Sequence, residues 1–154
     1  MGKIAETVES KMEKWQRLNS RTRKDDWNNV PYDIIIGHSL CELAMHIKAD
    51  AIFSLSAHGN SPRALSSIRP GCNIIAVTPD EATARQMNLF WGVTPVLVTK
   101  DYPDVMIMQG IKIAKELNLV KDGDTAVIGG SDTYDYHNKS SFSSYKTLGG
   151  ICKI

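Results

Sequence analysis

Short apolar runs separated by stretches of helical composition constrain this chain more than any other feature. Ala51–Leu55, Asn73–Val77, Val93–Val98 (which carries Pro95) and Thr125–Ile128 read as strands. Their apolar residues run on without alternation, the pattern of strands covered on both faces of a sheet. Between them, Ser61-Pro62 and Thr78-Pro79-Asp80-Glu81 have the order of a hydroxyl cap followed by proline, with an acidic first turn in the second case. Strands alternating with helices imply βαβ units, a largely parallel sheet and right-handed crossovers. The expected fold is α/β, a three-layer α/β/α sandwich. Its sheet is mostly parallel and five-stranded, and the last strand, Gly150–Ile154, is antiparallel at the edge.

The helices carry more information in their faces than in their lengths. A helix from Asp33, as N-cap, to about Lys48 has two apolar groups: Ile34, Cys41, Ala44 and Met45, then Ile36, Leu40, Leu43 and Ile47. A helix apolar on two faces is buried on two sides, one against the sheet and one against a second helix or subunit. Asp104–Leu117 is expected as a helix with Val105, Met108 and Ile111 inward, and Lys121-Asp122-Gly123-Asp124 as a turn. Upstream, Ile4, Val8, Met12 and Trp15 make a stripe on a helix over residues 3–18, and residues 19–30 read as a polar linker. The organisation is therefore an N-terminal helix and linker over 1–30, then one domain over 31–154. Ser131–Thr147, serine-rich with Tyr134, Tyr136 and Tyr145, reads as a long loop whose expected state is disorder.

Composition narrows the classes of partner. A chain of 154 residues supports one sizeable core, and 18 Lys plus Arg against 17 Asp plus Glu leave a net charge of +1. That balance gives no footprint for nucleic acid or an anionic membrane. Cys41, Cys72 and Cys152 are far apart and form no CxxC, which argues against a disulfide framework or zinc site and suits a reducing cytosol. No apolar run approaches the ~20 residues of a membrane span. A cytoplasmic protein is expected.

Two segments carry a family likeness. Ser66-Ser67-Ile68-Arg69-Pro70-Gly71-Cys72-Asn73-Ile74-Ile75-Ala76-Val77-Thr78-Pro79 and Thr83-Ala84-Arg85-Gln86-Met87-Asn88-Leu89-Phe90-Trp91-Gly92-Val93-Thr94-Pro95-Val96-Leu97 resemble the C-terminal α/β domain of pyruvate kinases. With the spacing to Lys121-Asp122-Gly123-Asp124, the likeness covers nearly all of 31–130. Met1-Gly2-Lys3-Ile4-Ala5-Glu6 is similar to the helix that closes the family's catalytic barrel, so residues 1–30 are expected to be a remnant of it. The resemblance implies a regulatory and oligomerisation domain of a protein converting phosphoenolpyruvate and ADP to pyruvate and ATP in glycolysis. It also implies that the Mg and K sites and the catalytic lysine belong to the missing barrel. No cofactor, metal site or catalytic residue is expected in this chain, and alone it is expected to be inactive.

The resemblance further implies an effector site at Ser56, Ala57, His58, Gly59, Asn60 and Ser61. The physical case stands beside it: a loop after a parallel strand brings backbone N–H groups to a helix N-terminus, where an anion is favoured. Relatives that obey an effector often carry Lys or Arg where this loop has Ala57 and Asn60. Animal-type relatives have a Trp and an Arg that the Lys100-Asp101-Tyr102-Pro103 segment and Met106 lack. Tyr134, Tyr136, His137 and Lys139 suggest a lid over the loop. Arg69 reads as an exposed structural arginine, Trp91 as core or interface filling, and His38 and His46, eight positions apart, as packing residues rather than metal ligands. Expected partners are a second copy through helix 34–48, a catalytic barrel in cis or trans, and a sugar-phosphate or nucleotide effector. The alternatives are a stand-alone small-molecule (phosphate ester) binding protein of the same fold or, last, a small enzyme using the Tyr/His tail.

Overall fold

A computed structural model describes residues 32–131 and 147–154. Its elements are α1 (Tyr32–Ile47), β1 (Ala51–Leu55), α2 (Asn60–Ile68), β2 (Asn73–Thr78), α3 (Glu81–Met87), β3 (Val93–Leu97), α4 (Pro103–Glu116), β4 (Thr125–Ser131) and β5 (Thr147–Lys153). They form one sheet of order β3-β2-β1-β4-β5. Strands β1 to β4 pair in parallel, and β5 pairs antiparallel with β4, from Thr125 opposite Lys153 to Ser131 opposite Thr147.

The chain steps from β1 to β2 to β3 in one direction and then returns to β4 on the far side of β1. Right-handed crossovers therefore place α2 and α3 on one face and α4 on the other. The two cores follow this division. Leu40, Cys41 and Ala44 of α1 and Leu65 and Ile68 of α2 pack with Ile52, Ile74 and Val127. On the opposite face Phe53, Leu55, Ile75, Val77, Val96 and Ala126 pack with Met106, Ile107 and Ala114 of α4. Continuous apolar strands are what such two-sided cover requires.

Several helix details differ from the sequence reading. In α4 the inward residues are Met106, Ile107, Gly110 and Ala114, with Ile111 packed against the core as expected, whereas Val105 and Met108 are exposed, Met108 by 71%. Met106 and Ile107 supply the apolar bulk of that face, and Gly110 lets it lie close over Val77. Helix α1 begins at Tyr32, so Asp33 lies inside its first turn instead of ahead of it. Ser61 does not cap α2: the N-cap is Gly59 in the left-handed region, φ 79°, and Pro62 falls at the third helical position. Pro62 is tolerated there because first-turn amides have no partner within the helix. Helix α3 is capped by Asp80, not Thr78. The expected helix over 3–18, the linker and the loop between β4 and β5 lie outside the described residues. No described helix is long and apolar enough to cross a membrane.

Candidate effector site at the end of β1

Strand β1 has β2 on one side and β4 on the other, and its onward connection goes to the opposite face from the helix that leads into β4. The carboxyl ends of β1 and β4 therefore flank the point where the connections diverge, the usual ligand crevice of open α/β sheets. The Ser56–Gly59 loop leaves from that point.

Its local geometry is tightly determined. Ser56 extends the ladder, its N–H donating to Val77 O at 3.0 Å. Its buried hydroxyl then accepts the Gly59 N–H at 2.9 Å, which turns the chain back on itself. Gly59 must adopt a positive φ to complete that turn, and its carbonyl accepts the Arg63 N–H at 3.1 Å to open α2. From the neighbouring loop, the Thr83 hydroxyl donates to Ala57 O at 3.2 Å, and Asp80 Oδ2 accepts the Thr83 N–H at 2.7 Å. The loop is thus fastened to the start of α3.

The charges around it are balanced. Hydrogen bonds from Thr83 hold the Asp80 carboxyl below its usual value, and the nearby positive charges of His58 and Arg85 add to the effect. The imidazole of His58 therefore sits within reach of a carboxylate. His58 and Asn60 are exposed, Ala57 and Ser61 half-buried, and Ser56 and Gly59 buried. Of the six residues expected at the site, Ser56 and Gly59 bond each other, and neither Ser61 nor Asn60 forms the cap.

One polar group at this end of β1 escaped the sequence reading. Ser54 is fully buried, its register partners are Ala76 and Gly129, and its hydroxyl has no hydrogen-bond partner. It lies inside the apolar run read as a strand, where a serine among Ala, Ile, Phe and Leu is the one signal that could have found it.

Elsewhere, Arg69 stands at the C-cap of α2 with its guanidinium 5.1 Å from the ring centre of Trp91. Trp91 is 46% exposed, so it rests on the surface under Arg69 instead of filling the core. Arg69 follows α2 toward the start of β2, at the opposite end of the sheet from the loop, and the two do not meet. Among the described residues, no group of three or more His, Cys, Asp or Glu is arranged to hold a metal. Tyr134, Tyr136, His137 and Lys139 lie outside the described residues. An open apolar hollow of ≈ 240 Å³ lies between α4 and β4–β5, lined by Pro103, Ile107, Ile111, Ile128 and Cys152 among others. It lacks the donors that would hold a phosphate.

This fold, a five-stranded sheet with an antiparallel last strand, is shared with known proteins. The family described as "Pyruvate kinase, alpha/beta domain" matches residues 35–140, more than half of the chain. The chain belongs to that family. It is 33% identical over 129 residues to pyruvate kinase of Staphylococcus aureus, a match covering 83% of this chain and 22% of the relative. Among solved structures it is similar to Cryptosporidium parvum pyruvate kinase in complex with ADP, with TM-score 0.70 and 26% identity over 84% of this chain and 25% of that one. A second structure of the Cryptosporidium parvum enzyme matches with TM-score 0.65 and 27% identity, covering 82% of this chain and 23% of that one. This pyruvate kinase α/β domain thus spans about a quarter or less of the relatives it matches.

Proposed function

We propose that the chain serves as a regulatory and oligomerisation domain of a pyruvate kinase, binding a phosphate ester at the β1–α2 loop. The parent reaction would be phosphoryl transfer from phosphoenolpyruvate to ADP, performed by a catalytic barrel in cis or trans, in the cytoplasm. The observation that carries this reading is the Ser56–Gly59 turn at the divergence point of the sheet. It presents the first-turn amides of α2 where a helix N-terminus favours an anion. Calorimetry and thermal unfolding with sugar bisphosphates and nucleotides test it. Ligand at ~100 times its Kd stabilises the folded state by ~2.7 kcal/mol, an easily read shift in midpoint. An unmoved midpoint with every phosphate ester up to millimolar concentration would remove the effector reading. The purified chain is expected to show no turnover of phosphoenolpyruvate and ADP.

Self-association is proposed through α1, residues 34–48, where Ile34, Ile36 and Leu43 are only partly buried. Light scattering that finds a monomer at high concentration would count against it.

A further inference from the structure

We infer that residues 3–18 of this chain dock into the apolar hollow between α4 and β4–β5, as the helix that this face of the sheet lacks. Among the described elements, α1, α2 and α3 lie over one face, whereas α4 alone covers the other, chiefly over β1, β2 and β3. A helix with its side chains is about 10–12 Å across and strands lie about 4.8 Å apart, so one helix cannot cover five strands. The hollow opens where the cover stops. Ile128 and Gly129 of β4 and Cys152 of β5 form its floor, and Ile107, Met108 and Ile111 of α4 its wall. Ile111 and Ile128 pack against the core yet stay only partly buried, and Met108 is exposed. A sheet face of this composition requires an apolar cover.

The chain itself supplies one. Ile4, Val8, Met12 and Trp15 recur at i, i+4, i+8 and i+11, which on a helix confines them to roughly 80° of arc. A stripe that narrow is suited to burial against a single apolar surface. Glu6 and Glu13 fall on its opposite side. Residues 3–18 lie outside the described residues, as do 132–146, but the latter contain no Ala, Val, Ile, Leu or Met and have no comparable stripe. As a helix, residues 3–18 would be about 24 Å long, and the 14 residues of α4 about 21 Å, so the two match lying side by side.

The tether permits the placement. Helix α1 ends next to the start of β1, so Tyr32 stands at the carboxyl ends of the parallel strands, and α1 lies against β4 where Leu40 meets Gly129. The hollow is near the same end, beside the first half of α4. Residues 19–31 can span up to about 40 Å, against about 20 Å between helix layers on the two faces of a sheet. The half-buried apolar side of α1 is the rival surface for the stripe.

Cys152 is a native reporter, because it lines the hollow, whereas Cys41 is fully buried and Cys72 packs on the opposite face. The full chain is alkylated with iodoacetamide, and each cysteine is followed by peptide mass. In Met12→Asp, Cys152 should react about tenfold faster than in the native chain, the order expected for removing one large apolar side chain from a buried contact. The Cys72 rate should not change, and Cys41 should stay unreactive in both, showing that the α/β domain remains folded. A second measurement covers a variant that unfolds. Val8→Cys and Met12→Cys, each combined with Cys72→Ser and mildly oxidised, should link to Cys152 within one chain, and Glu6→Cys and Glu13→Cys should not. Equal Cys152 rates with and without Met12→Asp, a rate change at Cys72 in place of Cys152, or links formed as readily from Glu6→Cys and Glu13→Cys would overturn the docking. Links between two chains would overturn it too, giving this face to a second copy.

Discussion

Gly110 on α4 lies directly over Val77 on β2: a Cβ added at 110 would come 2.6 Å from Val77 Cγ2 and 3.3 Å from Cγ1. Both residues are buried, and the strand has no freedom to retreat because Val77 is paired with Leu55 and Val96 on its two sides. Gly110→Ala is therefore expected to lower stability by ~1–3 kcal/mol, as overpacking does, despite its better helix propensity. Combining it with Val77→Ala removes the obstructing methyls, so the two losses should fall short of additivity by ~0.5–3 kcal/mol. Urea denaturation of the two single variants and the double variant measures this. Additive losses would show that α4 and β2 do not meet here.

This contact also explains where the sequence was readable and where it was not. Strands 51–55 and 73–77 stood out because a strand buried on both faces must be apolar at successive residues. In α4 the buried stripe includes Gly110 and Ala114, which the apolar pattern does not mark, while Val105 and Met108 point outward. The apolar residues of this helix spread over more than one face, and the close approach at Gly110 is not something periodicity registers. The start of α2 was obscured similarly: Ser61-Pro62 has the composition of a cap, but the left-handed turn at Gly59 opened the helix earlier. At the candidate site, the position of the Ser56–Ser61 loop was legible. Its fastening by Thr83 and Asp80 was not, since those contacts join segments some 25 residues apart.

The Gly59 turn sets up a comparison of variants. A side chain at 59 would find ordinary contact distance, 3.4 Å to Met87 Cγ, so crowding is not the obstacle. The backbone is: φ of 79° carries a penalty of ~1–2 kcal/mol for an L-residue with a Cβ. Gly59→Ala should lose about that much, and Gly59→Asn less, because asparagine tolerates the left-handed region. Equal losses for both in thermal or chemical unfolding would mean that something other than φ is at stake.

Asp80 predicts an acid limb in the stability profile. Its carboxyl is held below the ordinary 3.8, chiefly by the hydrogen bonds from Thr83 and then by His58 and Arg85. A group whose folded-state pKa is depressed stabilises the fold fully above its unfolded value and loses that contribution as pH falls through the folded one. The loss attributable to Asp80 should therefore begin below about pH 4 and be complete once the carboxyl is protonated in both states. Asp80→Asn retains a capping oxygen and abolishes the titration. Unfolding midpoints between pH 2 and 7 should converge for the two proteins at the acid end and separate above it, with native Asp80 the more stable. Parallel curves would show that the carboxylate does not contribute through its charge.

Ser54 offers the sharpest reading of the site itself. A hydroxyl buried without a partner is unfavourable by roughly 1–3 kcal/mol in protein mutational data, so deleting it relieves that penalty at the expense of a very small void. Ser54→Ala is expected to unfold at the same urea concentration as the native chain or a higher one, by up to ~1 kcal/mol. Valine is a different matter, since the residue faces the backbone of Gly129 and the methyl of Ala76 on its two flanks. A loss of more than about 1 kcal/mol in Ser54→Ala would mean that the hydroxyl is satisfied in solution, by ordered water or a bound group. Repeating the comparison with a saturating phosphate ester tells which: a loss seen only with the ester present places Ser54 in contact with it.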